Sequence, residues 1–177
     1  LGMQFDAAEE AEWQSLCDVL VGSALHQPQV FVHRDYHSRN LMVTTERKPG
    51  VLDFQDAMEG PLTYDLVSLL KDCYIKWPAE QVLQWAGGFY GLLDESVQGA
   101  IPEPDFVRAF ELMGVHRHLK AAGIFCRLNH RDGKPGYLAD IPRTLSYIVE
   151  LAPRHGELGF LARLIEERCL PQLEGRR

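Results

Sequence analysis

Residues 33 to 40 read His33-Arg34-Asp35-Tyr36-His37-Ser38-Arg39-Asn40. An H-R-D-x-x-x-x-N run suits phosphoryl transfer, in which the Asp accepts or orients an attacking hydroxyl and the Asn holds Mg²⁺. A second carboxylate follows at Asp53, within Leu52-Asp53-Phe54. Mg²⁺ prefers oxygen ligands and keeps several waters, so one carboxylate, one amide and the phosphates of ATP suffice to hold it. Asp35 is therefore the candidate base, a role that typically contributes about 10²–10⁴-fold. Asn40 and Asp53 are the candidate metal ligands. His33 is read as loop support packed beneath the segment, and His37 and Arg39 as able to touch the γ-phosphate or the substrate. Two other readings are weaker. The segment could be a polar turn with Asp35 as a local cap. His33 and His37 could form a zinc pair at i, i+4, but no third ligand is evident and H-E-x-x-H is missing.

The elements that must position these residues follow from the pattern of apolar runs. Val30–Val32, Leu41–Thr44 and Val51–Phe54 are short apolar stretches suited to strands. Glu46-Arg47-Lys48-Pro49-Gly50 is a charged turn between the last two, so Leu41–Phe54 is expected to be a β-hairpin. Antiparallel pairing brings the two ends of a hairpin together. Asn40, just before the first strand, and Asp53, near the end of the second, would meet at its mouth. A β patch this small cannot stand alone and must lie on helices.

Those helices are legible from spacing. Asp6 to Leu25 is periodic, with Asp6 and Glu9 as a capping signal and Gln27-Pro28 as the break. Leu66 to Trp77 is a second helix, stopped by Pro78, and Ala79 to Leu93 a third. Another runs from Pro104-Asp105 to Asn129, and Arg131–Gly136 forms a loop. Ile141-Pro142 opens the next helix, proline being tolerated in a first turn. Leu158 to Cys169 is the last. Asp65 is expected to cap its helix and to brace the catalytic loop. The expected fold class is α+β, mainly α: a helical bundle with a small β-hairpin carrying the metal site.

Composition sets bounds on function. The 177 residues are one domain's worth, 46% hydrophobic and 24% charged, as in an ordinary globular protein. A net charge of −7 argues against a general nucleic-acid binder. No apolar run approaches the roughly 20 residues of a membrane span, and the acidic start carries no signal-peptide pattern. Cys17, Cys73, Cys126 and Cys169 form no C-x-x-C pair, which suits reduced thiols in a cytoplasmic protein. The opening Leu1-Gly2-Met3 suggests a chain cut from a longer one.

The loop resembles that of the aminoglycoside phosphotransferase and choline kinase superfamily, in which His often stands two residues after the catalytic Asp, as His37 does. Arg34 departs from the Gly common in antibiotic kinases and is more like a protein kinase. After Asp53, however, Gln55-Asp56-Ala57-Met58-Glu59-Gly60-Pro61 and Tyr64-Asp65-Leu66 leave little room for an activation loop. Within the superfamily, Gly50–Ala57, Gly60–Tyr74, His116–Lys120, Gly123–Phe125, Arg131–Lys134 and Tyr137-Leu138 are similar to the anomeric kinases of N-acetylmuramate and N-acetylglucosamine. The resemblance runs from about Val30 to Val149. It implies a protein-kinase-like C-terminal lobe over residues 1–177, ATP and Mg²⁺ as cofactors, a sugar substrate, and a role in bacterial cell-wall recycling.

Charge offers a separate check on the substrate. The stretch His116–Arg131 carries Arg117, Lys120, Arg127 and Arg131, with no carboxylate before Asp132. Such a face suits a carboxylated sugar, because Arg binds carboxylates bidentately. Asp56 and Glu59, just past the metal site, could hold sugar hydroxyls. A complete enzyme of this kind also needs a lobe that covers the phosphates. Only 32 residues precede His33, and no G-x-G-x-x-G occurs. An N-terminal lobe is therefore expected to pack on this chain at an exposed apolar patch. An aminoglycoside or amino-alcohol kinase, or a fragment that binds sugar or a partner without turnover, are the alternative readings.

Overall fold

A computed structural model describes residues 4–46 and 48–174. Arg47 of the hairpin turn and the Leu1-Gly2-Met3 start lie outside the described residues. The chain divides into two compact units, Leu1–Gly22 with Val115–Arg177, and Ser23–Gly114.

The first unit is helical. Helix α1 (Ala7–Leu25) begins as its sequence dictates. The Asp6 carboxylate accepts the N–H groups of Ala8 and Glu9 at 2.8 and 2.9 Å, and Glu9 reaches back to the Asp6 N–H at 3.0 Å. This reciprocal box satisfies N–H groups that a helix start otherwise leaves orphaned. Leu16 and Leu20 of α1 are buried. α6 (Ile141–Leu151) contributes Ile141, Leu145, Ile148 and Leu151, a one-sided stripe at helical spacing. α7 (Gly159–Leu164) runs through a π-helical stretch, Ile165–Cys169, into α8 (Leu170–Glu174). Arg168 ties that stretch to Glu9 at 2.7 Å and to the Gln4 carbonyl at 3.0 Å.

The second unit carries the His33–Asn40 motif. Strand β1 (Gln29–Val32) pairs antiparallel with β4 (Met58–Pro61), and β2 (Leu41–Val43) with β3 (Pro49–Val51). Gly60 is required in β4: a Cβ there would sit 2.7 Å from Val32 Cγ2, inside contact distance. α2 (Tyr64–Leu70), α3 (Ala79–Tyr90), α4 (Glu95–Ala100) and the start of α5 (Glu103–Asp132) supply the helical half. Phe106 and Phe110 are fully buried at the centre of this core, with Phe89 stacked on Phe106 at 6.2 Å. Each such ring stabilises the fold by roughly 1.5–3 kcal/mol. Gln27 joins two segments: its Oε1 accepts the Thr63 N–H and hydroxyl at 3.1 and 2.7 Å, and its amide nitrogen donates to the Ser23 carbonyl.

Several boundaries differ from expectation. The hairpin is shorter, because its second strand is Pro49–Val51 rather than Val51–Phe54, and β4 is an element that the apolar runs do not reveal. α2 ends at Leu70 instead of Trp77 because the Asp72 carboxylate accepts the Tyr74 N–H at 2.9 Å and turns the chain. α3 stops at Tyr90, where the spacing suggests helix to Leu93, and α4 follows as an element that the sequence reading does not include. α5 runs three residues past Asn129 to Asp132. Gly133, with φ 62, ends it, a left-handed position that costs glycine little.

Candidate active site

The motif occupies the connection from β1 to β2, in the second unit. At its start, His33 is 5% exposed and its ring is locked by two hydrogen bonds. The Asp35 N–H lies 3.3 Å from Nδ1, and Nε2 lies 2.9 Å from the Leu52 carbonyl. A backbone N–H only donates, so Nδ1 accepts and Nε2–H donates to Leu52. One imidazole thus links the loop to the segment that leads into Asp53.

Asp65 holds the same loop from the other side. Its carboxylate accepts the N–H groups of His33 and Arg34, the latter at 3.0 Å. It stands in the first turn of α2, but the N-cap position is Thr63, whose hydroxyl is committed to Gln27. The expected capping of its own helix is therefore corrected: the carboxylate is turned away from α2's own start and onto the loop. Arg34 has φ 78, a left-handed conformation that costs a side-chain-bearing residue about 1–2 kcal/mol. The Asp65 bonds to the N–H groups of His33 and Arg34 hold it there.

Asp35 is fixed through its backbone. Its carbonyl accepts the His37 N–H at 3.0 Å and the Asn40 side-chain amide at 2.9 Å. Among the described residues, no donor engages its half-buried carboxylate. A pinned backbone with an unengaged carboxylate is the arrangement a hydroxyl-orienting base needs.

Ser38–Asn40 form a single 3₁₀ turn, and Leu41 begins β2 directly after it. Asn40 and Asp53 meet: the amide nitrogen is 3.4 Å from Asp53 Oδ2. The route differs from the expected one, because Asp53 lies beyond the ladder, which ends with the Leu52 N–H donating to the Asn40 carbonyl at 3.0 Å. Asp53 itself is left-handed, with φ 65, and cannot continue a strand. Gln55 donates to its other oxygen at 2.7 Å. The donor chemistry fits Mg²⁺: one exposed carboxylate and one amide, both hard oxygen donors. No cluster of three or more His, Cys, Asp or Glu that could hold a metal occurs among the described residues. A carboxylate and an amide are the donors expected for an ion held by few protein groups plus substrate phosphates.

The remaining candidates are dispersed. Arg39 is exposed, with its guanidinium 3.5 Å over the Tyr74 ring, and the edge of His37 meets that ring at 5.8 Å. Nδ1 of His37 is buried and has no hydrogen-bond partner among the described residues. Asp56 and Glu59 carry exposed side chains; the Asp56 carbonyl accepts from Arg34 at 3.3 Å, and Glu59 sits opposite Phe31 in the β1–β4 ladder. Arg117, Lys120, Arg127 and Arg131 all belong to the first unit, on α5. Arg131 is engaged in a fork with its neighbour Asp132 at 2.7 and 3.0 Å, which holds the Asp132 carboxyl below its usual range. Partial withdrawal from water, then the charges of Arg117 and Lys120, lower the pKa of His116. Asp72 is the residue that the pattern missed. It lies inside the Gly60–Tyr74 stretch but at no spacing that ties it to the loop, and only the fold brings it to Ser38, 34 positions earlier.

The chain is 49% identical over 171 residues to the N-acetylmuramate/N-acetylglucosamine kinase of Pseudomonas putida, covering 94% of this chain and 49% of that protein. It is 48% identical over 176 residues to the kinase of the same name from Pseudomonas aeruginosa, with 97% and 50% covered. Against that of Neisseria meningitidis it is 46% identical over 171 residues, with 94% and 50% covered. The chain thus spans about half the length of the curated relatives it matches. Among the described residues, no helix is long and apolar enough to cross a membrane. The pattern of the phosphotransferase enzyme family (APH) matches residues 3–110, which include every residue of the catalytic loop, and the chain belongs to that family.

Proposed function

We propose that this chain is the catalytic C-terminal lobe of an ATP- and Mg²⁺-dependent kinase that phosphorylates the anomeric hydroxyl of N-acetylmuramate and N-acetylglucosamine in cell-wall recycling. The observation that carries it is the pairing of a backbone-pinned Asp35, its carboxylate unengaged, with Asn40 and Asp53 meeting beside it. The names of the three relatives above support the choice of sugar.

The chemistry is a displacement at the γ-phosphorus. The anomeric oxygen forms a bond to phosphorus as the bond to the ADP oxygen breaks, and the hydroxyl proton passes to the Asp35 carboxylate. Mg²⁺, when bound, neutralises charge on the phosphates. Asn40 and Asp53 would hold it, with Gln55 giving up its place on Asp53. Arg39 and His37 would meet the γ-phosphate or the substrate, while His33 and Asp65 keep the loop in shape. Asp56 and Glu59 are assigned to sugar hydroxyls. Arg117, Lys120 and Arg127 are assigned to the carboxylate of N-acetylmuramate, and Arg131 joins them on release from Asp132.

The missing share of the relatives' length is assigned to an N-terminal lobe that covers the nucleotide. Phe31, Met42, Val43, Phe54 and Met58 are exposed on or beside the strands, Val43 at 98%. That much exposed apolar surface supports a covering element. The reaction is assigned to the cytoplasm, where ATP is available.

The test measures phosphate transfer from ATP to both sugars, with this chain and with a version extended N-terminally to the relatives' length. Turnover in the longer protein, lost in Asp35→Ala without loss of folding, is the expected result. A folded longer protein that phosphorylates neither sugar overturns the reading.

A further inference from the structure

The catalytic loop is held at its two ends by two different acids, and only the first belongs to the motif's expected support. Asp65 fixes the His33–Arg34 end. The Ser38–Asn40 end is one 3₁₀ turn, a geometry with weak hydrogen bonds of its own. Asp72, 3% exposed, is placed against it. One carboxylate oxygen accepts the Ser38 hydroxyl at 2.6 Å and the Ser38 N–H at 3.2 Å. The other accepts the Tyr74 N–H at 2.9 Å. Tyr74 in turn is the ring over which the Arg39 guanidinium lies at 3.5 Å and which His37 meets edge-on.

We propose that Asp72 is a positioning residue for phosphoryl transfer: one buried carboxylate sets both the turn that presents Asn40 and the tyrosine platform that presents Arg39. This rests on the phosphotransfer reading above. A residue that merely ended α2 would need only the Tyr74 bond. The two bonds to Ser38 reach across 34 positions to the segment that ends in a metal ligand. Charge-assisted hydrogen bonds of this kind are roughly twice as strong as neutral ones, so the turn is ordered before nucleotide arrives.

The experiment uses the protein extended to the relatives' length and the variants Asp72→Asn, Ser38→Ala, Ser38→Thr and the Asp72→Asn/Ser38→Ala double. Displacing a catalytic group by about 1 Å costs on the order of 10²-fold, so kcat is expected to fall about 10–100-fold in Asp72→Asn and Ser38→Ala. The KM for sugar stays near parental, because the sugar contacts are untouched. Mg²⁺-dependent nucleotide binding, followed by calorimetry, weakens several-fold as Asn40 loses its place. Ser38→Thr keeps the hydroxyl and restores most of the activity. The double variant is no worse than the poorer single one, since both remove one interaction. Parental kcat and parental Mg²⁺ dependence in both Asp72→Asn and Ser38→Ala overturn the proposal, as do losses that multiply in the double. If Asp72→Asn does not fold, Ser38→Ala decides. If the parent phosphorylates no sugar, the sugar-kinase reading fails, and the Mg²⁺–nucleotide titration alone still decides the role of Asp72.

Discussion

Asp65→Ala should uncouple loop geometry from the rest of the fold. The carboxylate accepts two backbone N–H groups, from His33 and Arg34. Hydrogen bonds to a charged acceptor each contribute about 1.5–3 kcal/mol net, so the pair contributes about 3–6 kcal/mol to the loop's present shape. Part of that is offset, because Arg34 at φ 78 relaxes once released and regains about 1–2 kcal/mol. The net preference lost is about 2–4 kcal/mol, and at 1.4 kcal/mol per tenfold the competent loop becomes about thirty- to several-hundred-fold rarer. The assay is kcat for sugar phosphorylation in the extended protein, beside a urea unfolding curve. A fall in kcat of that size is expected, with a second variant as control. Arg34→Gly removes the Cβ that opposes the left-handed conformation, so the Asp65→Ala/Arg34→Gly double should recover roughly tenfold of the loss. An Asp65→Ala protein within about threefold of parental kcat refutes the reasoning, since even one charge-assisted bond is worth more than that. A double variant no better than Asp65→Ala would show that the strain at Arg34 is not what the carboxylate holds.

Gly60→Ala should destabilise the chain by about 1–3 kcal/mol in urea, since the new methyl meets Val32 Cγ2 at 2.7 Å; adding Val32→Ala should make the pair less costly than the sum, and strict additivity would refute the clash. Asp53→Ala should weaken Mg²⁺-dependent nucleotide binding while leaving unfolding nearly unchanged, because its side chain is exposed; unaltered Mg²⁺ dependence by calorimetry would remove it from the metal site. His116 should titrate below 6.5 by NMR, and Arg117→Gln should move it upward. Because its folded pKa is depressed, the unfolded chain takes the proton first, so this residue's contribution is complete above about 6.5 and declines as pH falls from there towards the lowered value. His116→Gln should flatten that stretch of the stability profile, and an unchanged slope would refute the assignment.

Much of the site could be read from the chain because its chemistry is local. His33 to Asn40 are contiguous, and Asp53 is brought back by one hairpin, so a short-range turn suffices to join them. The capping box at Asp6 and the buried stripe of α6 are legible for the same reason: helical neighbours are three and four residues apart. That Asp65 braces the loop is an expectation of the family resemblance rather than of local spacing, since its bonds to His33 and Arg34 span more than 30 positions, and the direction in which its carboxylate turned is not legible at all. That was decided by Gln27, which takes the Thr63 hydroxyl and N–H and so leaves the start of α2 without its side-chain cap.

What only the tertiary structure decided are the pairings between distant segments. β4 carries Gly60 and Pro61, poor strand formers, and exists because β1 offers it a partner and Val32 fits against the missing Cβ. The end of α2 at Leu70 and the placement of Asp72 on Ser38 depend on a carboxylate satisfying donors from two segments at once, a condition no local window contains. Asp53 left the strand for a left-handed conformation beside Asn40, where the apolar run Val51–Phe54 reads as a continuing strand. The sequence by itself thus determined which groups could do the chemistry. The carboxylates of Asp65 and Asp72 and the pairing of β1 with β4 decided where those groups stand, because hydrogen bonds between residues 31 to 34 positions apart form only after the chain between them has folded.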